Sequence, residues 1–333
     1  MPCHALQMPR PRHHLVPRMY LQRFAKDNKL RVTDRRTGQS RLTTVKNACN
    51  EAGYYAIPTE DLKEQAREGH DPEMLEKTLA EIESESATYI AELLTGGFPP
   101  SPPARFRVSM FAALQHARGR NFRRDWSELA NRVAPMAISE ALDDSLIRQW
   151  LKSEKKPATD ANVAALRSRL LGPNGPRPVL RQSHAVQASV DIAINVLHPR
   201  LFLRPWTLLQ FDEPVLLTSD EPVVAWDPVD ENPELATATS VYMPLDRQHA
   251  LAFGSRGGDR ISAPTGNTRA TQINQAIIDN SNQWIFQHPN ENPLLGLSIN
   301  PPRTLTDELV SSETDGEMTR EVRRLVRRRS SDS

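Results

Sequence analysis

The stretch "PWTLLQFDEPVLLTSDEPVVAW", residues 205–226, is where the texture of this chain changes. Short apolar runs follow one another, with Pro, Asp and Glu between them. Runs of this length, rich in Val, Leu and aromatics and bounded by turn residues, read as strands. "VYMPLD" (241–246) and "HALAFGS" (249–255) continue the pattern. This part of the chain is therefore expected to form an antiparallel sheet.

Upstream the period is helical. In "DPEMLEKTLAEIESESATYIAELL" (71–94), Leu75, Leu79, Ile82, Ser86, Ile90 and Leu93 recur on one face. Asp71 is placed to cap this helix and Pro72 to open it. Glu76 and Glu83 flank its buried stripe. A second long helix runs from Ala104 to Val133, with a break expected near Gly119. A short helix is expected between the loop-like stretches "SEKKPATDA" and "LGPNGPRPVL". "HAVQASVDIAINVLH" reads as another helix, ended by Pro199. After the strands, "NTRATQINQAIIDNSNQWIFQ" returns to helix. "EMTREVRRLVRRRSSDS" reads as a basic helix or a frayed tail.

Further back, "KLRVTDRRTGQSRLTTV" (29–45) is strand, turn, strand: a β-hairpin. "KNACNEAGYYAI" should end in a short strand with Tyr54 and Tyr55 on opposite faces. Helices and strands are thus segregated, which argues for an α+β fold rather than a doubly wound one. It has an N-terminal hairpin, a helical middle, an antiparallel sheet in the C-terminal half and a closing helix. The expected divisions are a tail over 1–11, one domain over 12–290 and an extension over 291–333.

The 333 residues suffice for a sizeable core. A net charge of +1 argues against an electrostatic nucleic-acid binder as a whole, so any such partner must meet a local arginine patch. Two such patches exist: Arg118, Arg120, Arg123 and Arg124, and the run from Arg320 to Arg329. The first is equally suited to pair with the acidic helix before it, and the second to be a solvated tail. Two cysteines, no apolar leader and no run of about 18 apolar residues predict a cytoplasmic protein with no membrane span. No glycine-rich phosphate loop, C-x-x-C pair or G-x-S-x-G elbow is present.

Near the start, "RPRHHLVPRMYLQRFA" (10–25) sets His13 and His14 just before an apolar face made by Val16, Tyr20, Leu21 and Phe24. Pro17 suits a first helical turn. The pair is therefore expected at a helix N-terminus, where the dipole disfavours imidazolium. Neutral imidazoles could ligate a metal or take a proton, or simply be hydrogen-bonded. In "LLTSDEPVV", Asp220 stands off the end of an apolar strand. It could be a ligand or base, or it could bond its own backbone in an Asx turn.

Together these pieces resemble the bacterial family called domain of unknown function 4238. The resemblance rests on "HHLVPRMYLQRFA", "VKNACNEAGYY", "EKTLAEIE", "FAALQHARGRNF", "LLTSDEPVV", "VYMPLD" and "INQAIIDNSNQWIF", and spans about Arg12 to Phe286. It implies a site built from His13, His14, Tyr55, Glu83, Arg118, Ser219, Asp220 and Asn274. In one reading this is a hydrolase, a metal-dependent nuclease. His14 would be base or ligand, Asp220 and Glu83 further ligands to a divalent metal, and Arg118 a phosphate clamp. In the other, a non-enzymatic binding or regulatory protein, part of a defence or toxin system, uses the same motifs as a structural polar network. Oligomeric state is left open by the sequence.

Overall fold

A computed structural model describes residues 12–57, 61, 71, 73–172, 181–230, 233–315 and 318–329. The expected N-terminal tail, Pro72 and the loop at 173–180 lie outside the described residues. The fold is α+β.

In chain order, β1 (Arg12–His14) leads into a single turn of helix, α1 (Arg18–Leu21). The hairpin follows as β2 (Lys29–Asp34) and β3 (Ser40–Thr44), then β4 (Asn50–Ala52). The helical middle comprises α2 (Met74–Leu94), α3 (Pro102–Ala117), α4 (Arg120–Ala141), α5 (Asp144–Ser153), α6 (Asp160–Leu171), α7 (Gln182–Ile192) and α8 (His198–Leu203). The strands β5 (Trp206–Gln210), β6 (Thr218–Ser219), β7 (Val224–Trp226), β8 (Ser240–Pro244), β9 (His249–Gly254) and β10 (Arg260–Ser262) come next. The chain closes with α9 (Thr268–Asn280), β11 (Trp284–Gln287), β12 (Arg303–Asp315) and β13 (Met318–Arg329).

The C-terminal strands form a sheet ordered β10-β5-β9-β8-β7. Its pairs are antiparallel except β10 with β5. A second sheet is ordered β3-β2-β11-β6. It joins the N-terminal hairpin to the strand that carries Thr218 and Ser219, so segments far apart in the chain meet there. The predicted face of the opening segment packs as read: Val16, Tyr20, Leu21 and Phe24 are all fully buried. Tyr20 ties that segment to both sheets. Its hydroxyl donates to the Pro244 carbonyl at 2.6 Å and lies 3.0 Å from the Thr218 hydroxyl. A second core lies under α9, where Ile273, Ile277 and Ile278 meet Leu216, Leu217 and Ile285. Leu294, Leu297 and Ile299 pack on it, so the extension begins within the body. Arg35, buried on the hairpin, donates to the carbonyls of Asn300 at 2.9 Å and Pro301 at 3.0 Å.

Several expectations are corrected. The histidine pair is in a strand, β1, paired antiparallel with β4, and not at a helix end. Strand pairing satisfies this backbone, leaving α1 only one turn after Pro17. Tyr54 and Tyr55 leave the strand for a bend, and their rings meet edge to face at 4.9 Å. Pro199 does not end its helix. A π-helical turn over Ala193–Leu197 precedes it, and Pro199 falls in the first turn of α8, where its missing N–H costs little. The closing helix stops at Asn280, and "WIFQ" is strand β11. The segment read as a basic helix or a frayed tail is β13, paired with β12 in a separate two-stranded sheet. Val322 and Val326 suit that state better than helix.

Candidate functional site

Neighbouring residues in a strand face opposite ways, and β1 uses this to give its two histidines different surroundings. His13 turns inward and is 1% exposed. Its ring stacks on Tyr55 at 5.5 Å with an angle of 13° between planes. Nδ1 accepts the Tyr55 backbone N–H at 2.8 Å, so the neutral ring carries its proton on Nε2. That nitrogen sits 2.6 Å from the Glu73 carboxylate. Both nitrogens are thereby committed. His14 is only half-buried, with Nε2 at 3.2 Å from the Lys46 carbonyl. Burial holds its pKa below the ordinary value, partly offset by that carbonyl, with Arg18 and Arg118 pulling further down and Glu83 up. A neutral imidazole was the expected outcome, but burial rather than a helix dipole produces it.

The junction of α3 and α4, "ARGRN" (117–121), gathers the next set of groups. Arg118 is 5% exposed. It donates to Glu83 at 2.6 Å and also to the Gln115 side chain. Gln115 in turn donates to the Leu15 carbonyl at 2.9 Å, which locks the strand bearing the histidines. Burial works against the Arg118 charge, yet Glu83 and Tyr55 nearby hold its pKa above the usual value. Tyr54 donates its hydroxyl to the Arg118 carbonyl. Arg120 pairs with Glu51 at 2.7 Å, and the Arg123 guanidinium lies 3.6 Å above the Tyr54 ring. Arg118 and Arg123 therefore face inward, toward the acidic helix and the tyrosines, while Arg120 and Arg124 stay part-exposed beside Glu51 and Asp125.

On the far side of the same junction stands the Thr-Ser-Asp element. Asp220 is 3% exposed and accepts three backbone N–H groups: Asn282 at 2.9 Å, Gln283 at 2.8 Å and Trp284 at 3.1 Å. Burial raises its pKa, and those N–H groups pull against the rise. It is thus no Asx turn on its own backbone but a clamp on the α9–β11 turn. Ser219 accepts the Glu221 N–H at 3.1 Å. Asn274 receives the Leu217 N–H at 3.1 Å and donates to the Val215 carbonyl at 2.7 Å. These bonds serve the backbone just before β6, where the ladder is missing.

The structure thus brings His13, Tyr55, Glu83 and Arg118 into one cluster, with His14 at its margin. It keeps Asp220, Ser219 and Asn274 in another. Among the described residues His14 and Asp220 share no hydrogen-bond partner. Among the described residues no group of three or more His, Cys, Asp or Glu is placed to hold a metal ion, so the expected trio of His14, Asp220 and Glu83 is not assembled.

Sequence reasoning missed Glu221. Its buried carboxylate accepts the Asn121 N–H at 2.7 Å, at the start of α4. Gly119 lies against it so closely that a Cβ would fall inside the carboxylate. Glu73, Gln115 and the role of Arg123 were missed as well. None carries a local signal, because each is defined by a partner far away in the chain.

Beside the first cluster is a small cavity with room for about one water molecule. Tyr55, Arg118 and Arg123 line one side, and Leu79, Leu114 and Val186 are among the apolar residues of the rest.

A family model described as "Protein of unknown function (DUF4238)" matches residues 12–291. No curated protein and no solved structure matches the chain.

Proposed function

The chain belongs to the DUF4238 family of proteins of unknown function, and we propose that it is a non-enzymatic binding or regulatory protein. Its histidine and Thr-Ser-Asp motifs form two structural polar networks, one fixing the N-terminal strand and the other the α9–β11 turn. One observation carries this reading: the polar atoms a catalyst would need are already committed. His13 uses both nitrogens, and Asp220 accepts three backbone N–H groups. A group spent on fixed partners is poorly available to a substrate. The test is hydrolysis of phosphodiester and nucleic-acid substrates, with and without divalent metals. This reading expects no turnover above background. Turnover abolished by His14→Ala would overturn it.

One observation favours the second reading, a hydrolase. His14 is half-buried, held neutral, and makes one hydrogen bond through Nε2 alone. It is the base that such an enzyme would use, with Glu83 and Arg118 in its field. With Asp220 spent elsewhere, that enzyme would work without the expected metal trio. A nucleic-acid partner would meet a local arginine patch, and in the first patch Arg118 is already buried against Glu83. No helix among the described residues is long and apolar enough to cross a membrane. We place the protein in the cytoplasm, on its sparse cysteines.

A further inference from the structure

We propose that the N-terminal hairpin binds the phosphodiester backbone of nucleic acid, without regard to base sequence. This names a partner for the binding reading and rests on it.

The first argument is unpaired charge. Residues 12–57 hold ten Lys and Arg against three Asp and Glu, whereas the whole chain is nearly balanced at 42 against 41. The cations are spread along strands and turns, so no block of like charge marks them in the sequence. In the fold Arg18, Lys26, Lys29, Arg36, Arg41 and Lys46 are all exposed. Among the described residues none of the six is in an ion pair, whereas Arg105, Arg107, Arg118, Arg120 and Arg132 of the helices each meet a carboxylate. The acids of this segment do not offset the six. Glu51 is taken by Arg120, and Asp34 accepts from the Gln283 side chain and the Arg36 backbone. Only Asp27, in the turn between Lys26 and Lys29, stands among them.

The second argument is that the backbone holds like charges together. Lys26 and Lys29 exchange N–H and carbonyl bonds at 3.0 and 2.8 Å across a two-residue turn. Asp27 and Asn28 take the positive φ that such a turn needs, 47° and 59°. Like charges set opposite each other cost stability. The Asn28 carbonyl accepts the Val45 N–H at 3.0 Å, which brings the turn at Val45–Asn47, and Lys46 with it, to the same end of the hairpin. The helix α1 packs on that turn and carries Arg18. At the other end are Arg36, in the turn after β2, and Arg41, whose guanidinium lies 5.5 Å from the centre of the Trp284 ring. Cations gathered at a cost and left without acids suit an anionic partner.

The third argument is shape. The six residues of β2 span about 20 Å, so cations at both ends of the hairpin make a track and not a flat face. A linear polyanion with one charge per nucleotide follows a track. A membrane surface asks for an apolar face beside the cations. Leu42 is the one large hydrophobic residue exposed on this hairpin among the described residues. Lys and Arg contacts to phosphate position a partner and do not read its bases.

The experiment uses the full chain with labelled DNA of random sequence, as a short duplex and as a short single strand, read by fluorescence anisotropy. Saturable binding to either form is expected, and the two arms show which form the track takes. Affinity should fall by about a hundredfold between about 50 and 200 mM salt, as roughly four phosphate contacts require. The pairs Lys29→Glu with Lys46→Glu, and Arg36→Glu with Arg41→Glu, sit at opposite ends of the hairpin. Each pair should weaken binding by about tenfold or more and reduce the salt slope by about two. Each should keep the wild-type melting temperature, since exposed positions away from the core tolerate change. If one pair fails to fold, the other still reads the site. Arg323→Glu with Arg327→Glu, in the C-terminal segment, should change affinity by less than about threefold.

Four outcomes overturn the proposal: no saturable binding to either DNA, wild-type affinity in the hairpin variants, binding lost in the C-terminal variant instead, or equal affinity for polyglutamate or phosphatidylserine vesicles. Cleavage of the bound DNA, lost in His14→Ala, would keep this site and sink the non-enzymatic reading. Absence of both binding and cleavage would leave that reading standing without this partner.

Discussion

At the scale of single residues, adjacent side chains with the same chemistry carry different loads. His13 is a strut between the Tyr55 backbone and Glu73. His14 is a group whose pKa burial lowers. Its pKa in the fold lies below the unfolded value of 6.5. The unfolded chain therefore takes up that proton first as pH falls. Stability conferred by the neutral ring is complete above about pH 6.5 and is lost as pH drops from there toward the folded-state pKa. His198 and His288 shift the same way and share the slope. His14→Gln should flatten the fall of unfolding free energy between about pH 6.5 and 5, measured by urea titration at several pH values. An unchanged slope would mean that His14 is not held neutral by its surroundings. His13→Gln should also lower stability, because it breaks the bonds that His13 makes to the Tyr55 backbone and to Glu73.

At the scale of elements, the junction of α3 and α4 is the place where both polar clusters touch. A break near Gly119 was legible in the sequence, since glycine interrupts helices. Its reason was not legible. Gly119 has ordinary extended φ and ψ, −64° and 158°, which any residue adopts. Glycine is needed there because the Glu221 carboxylate occupies the space of a Cβ. Gly119→Ala should therefore destabilise by about 1–3 kcal/mol, as overpacking does. In a double-mutant cycle with Glu221→Ala, the coupling should reach about 1 kcal/mol or more. Additive costs would show that the glycine serves some other purpose. The same logic explains which elements were misjudged. The "WIFQ" segment continues a helical period in sequence, but Asp220 gathers the N–H groups of residues 282–284 and turns the chain into β11. The cause of that turn lies some sixty residues upstream, out of reach of any local window.

At the scale of the whole molecule, the α+β class could be read because helix-period and strand-period segments are separated along the chain. The buried face of the opening segment could be read because Val16, Tyr20, Leu21 and Phe24 keep one spacing. The second sheet could not, because it joins β2 and β3 near the start to β6 and β11 near the end. The two-cluster site was legible only as a set of residue types. The division of His13, Tyr55, Glu83 and Arg118 from Asp220, Ser219 and Asn274 depends on that sheet. Beyond Pro301 the chain forms β12 and β13, which pair with each other in a sheet of their own. A chain ending at residue 302 should keep its unfolding free energy within about 0.5 kcal/mol of the full chain, by urea denaturation. A larger loss would place the ribbon within the cooperative body. The central claim is that the family's signature residues hold the fold and do not carry chemistry. Its most direct test is the urea unfolding free energy of Asp220→Ala. The account predicts a loss of about 3 kcal/mol, from three backbone N–H groups left without their acceptor; a loss below about 0.5 kcal/mol would contradict it.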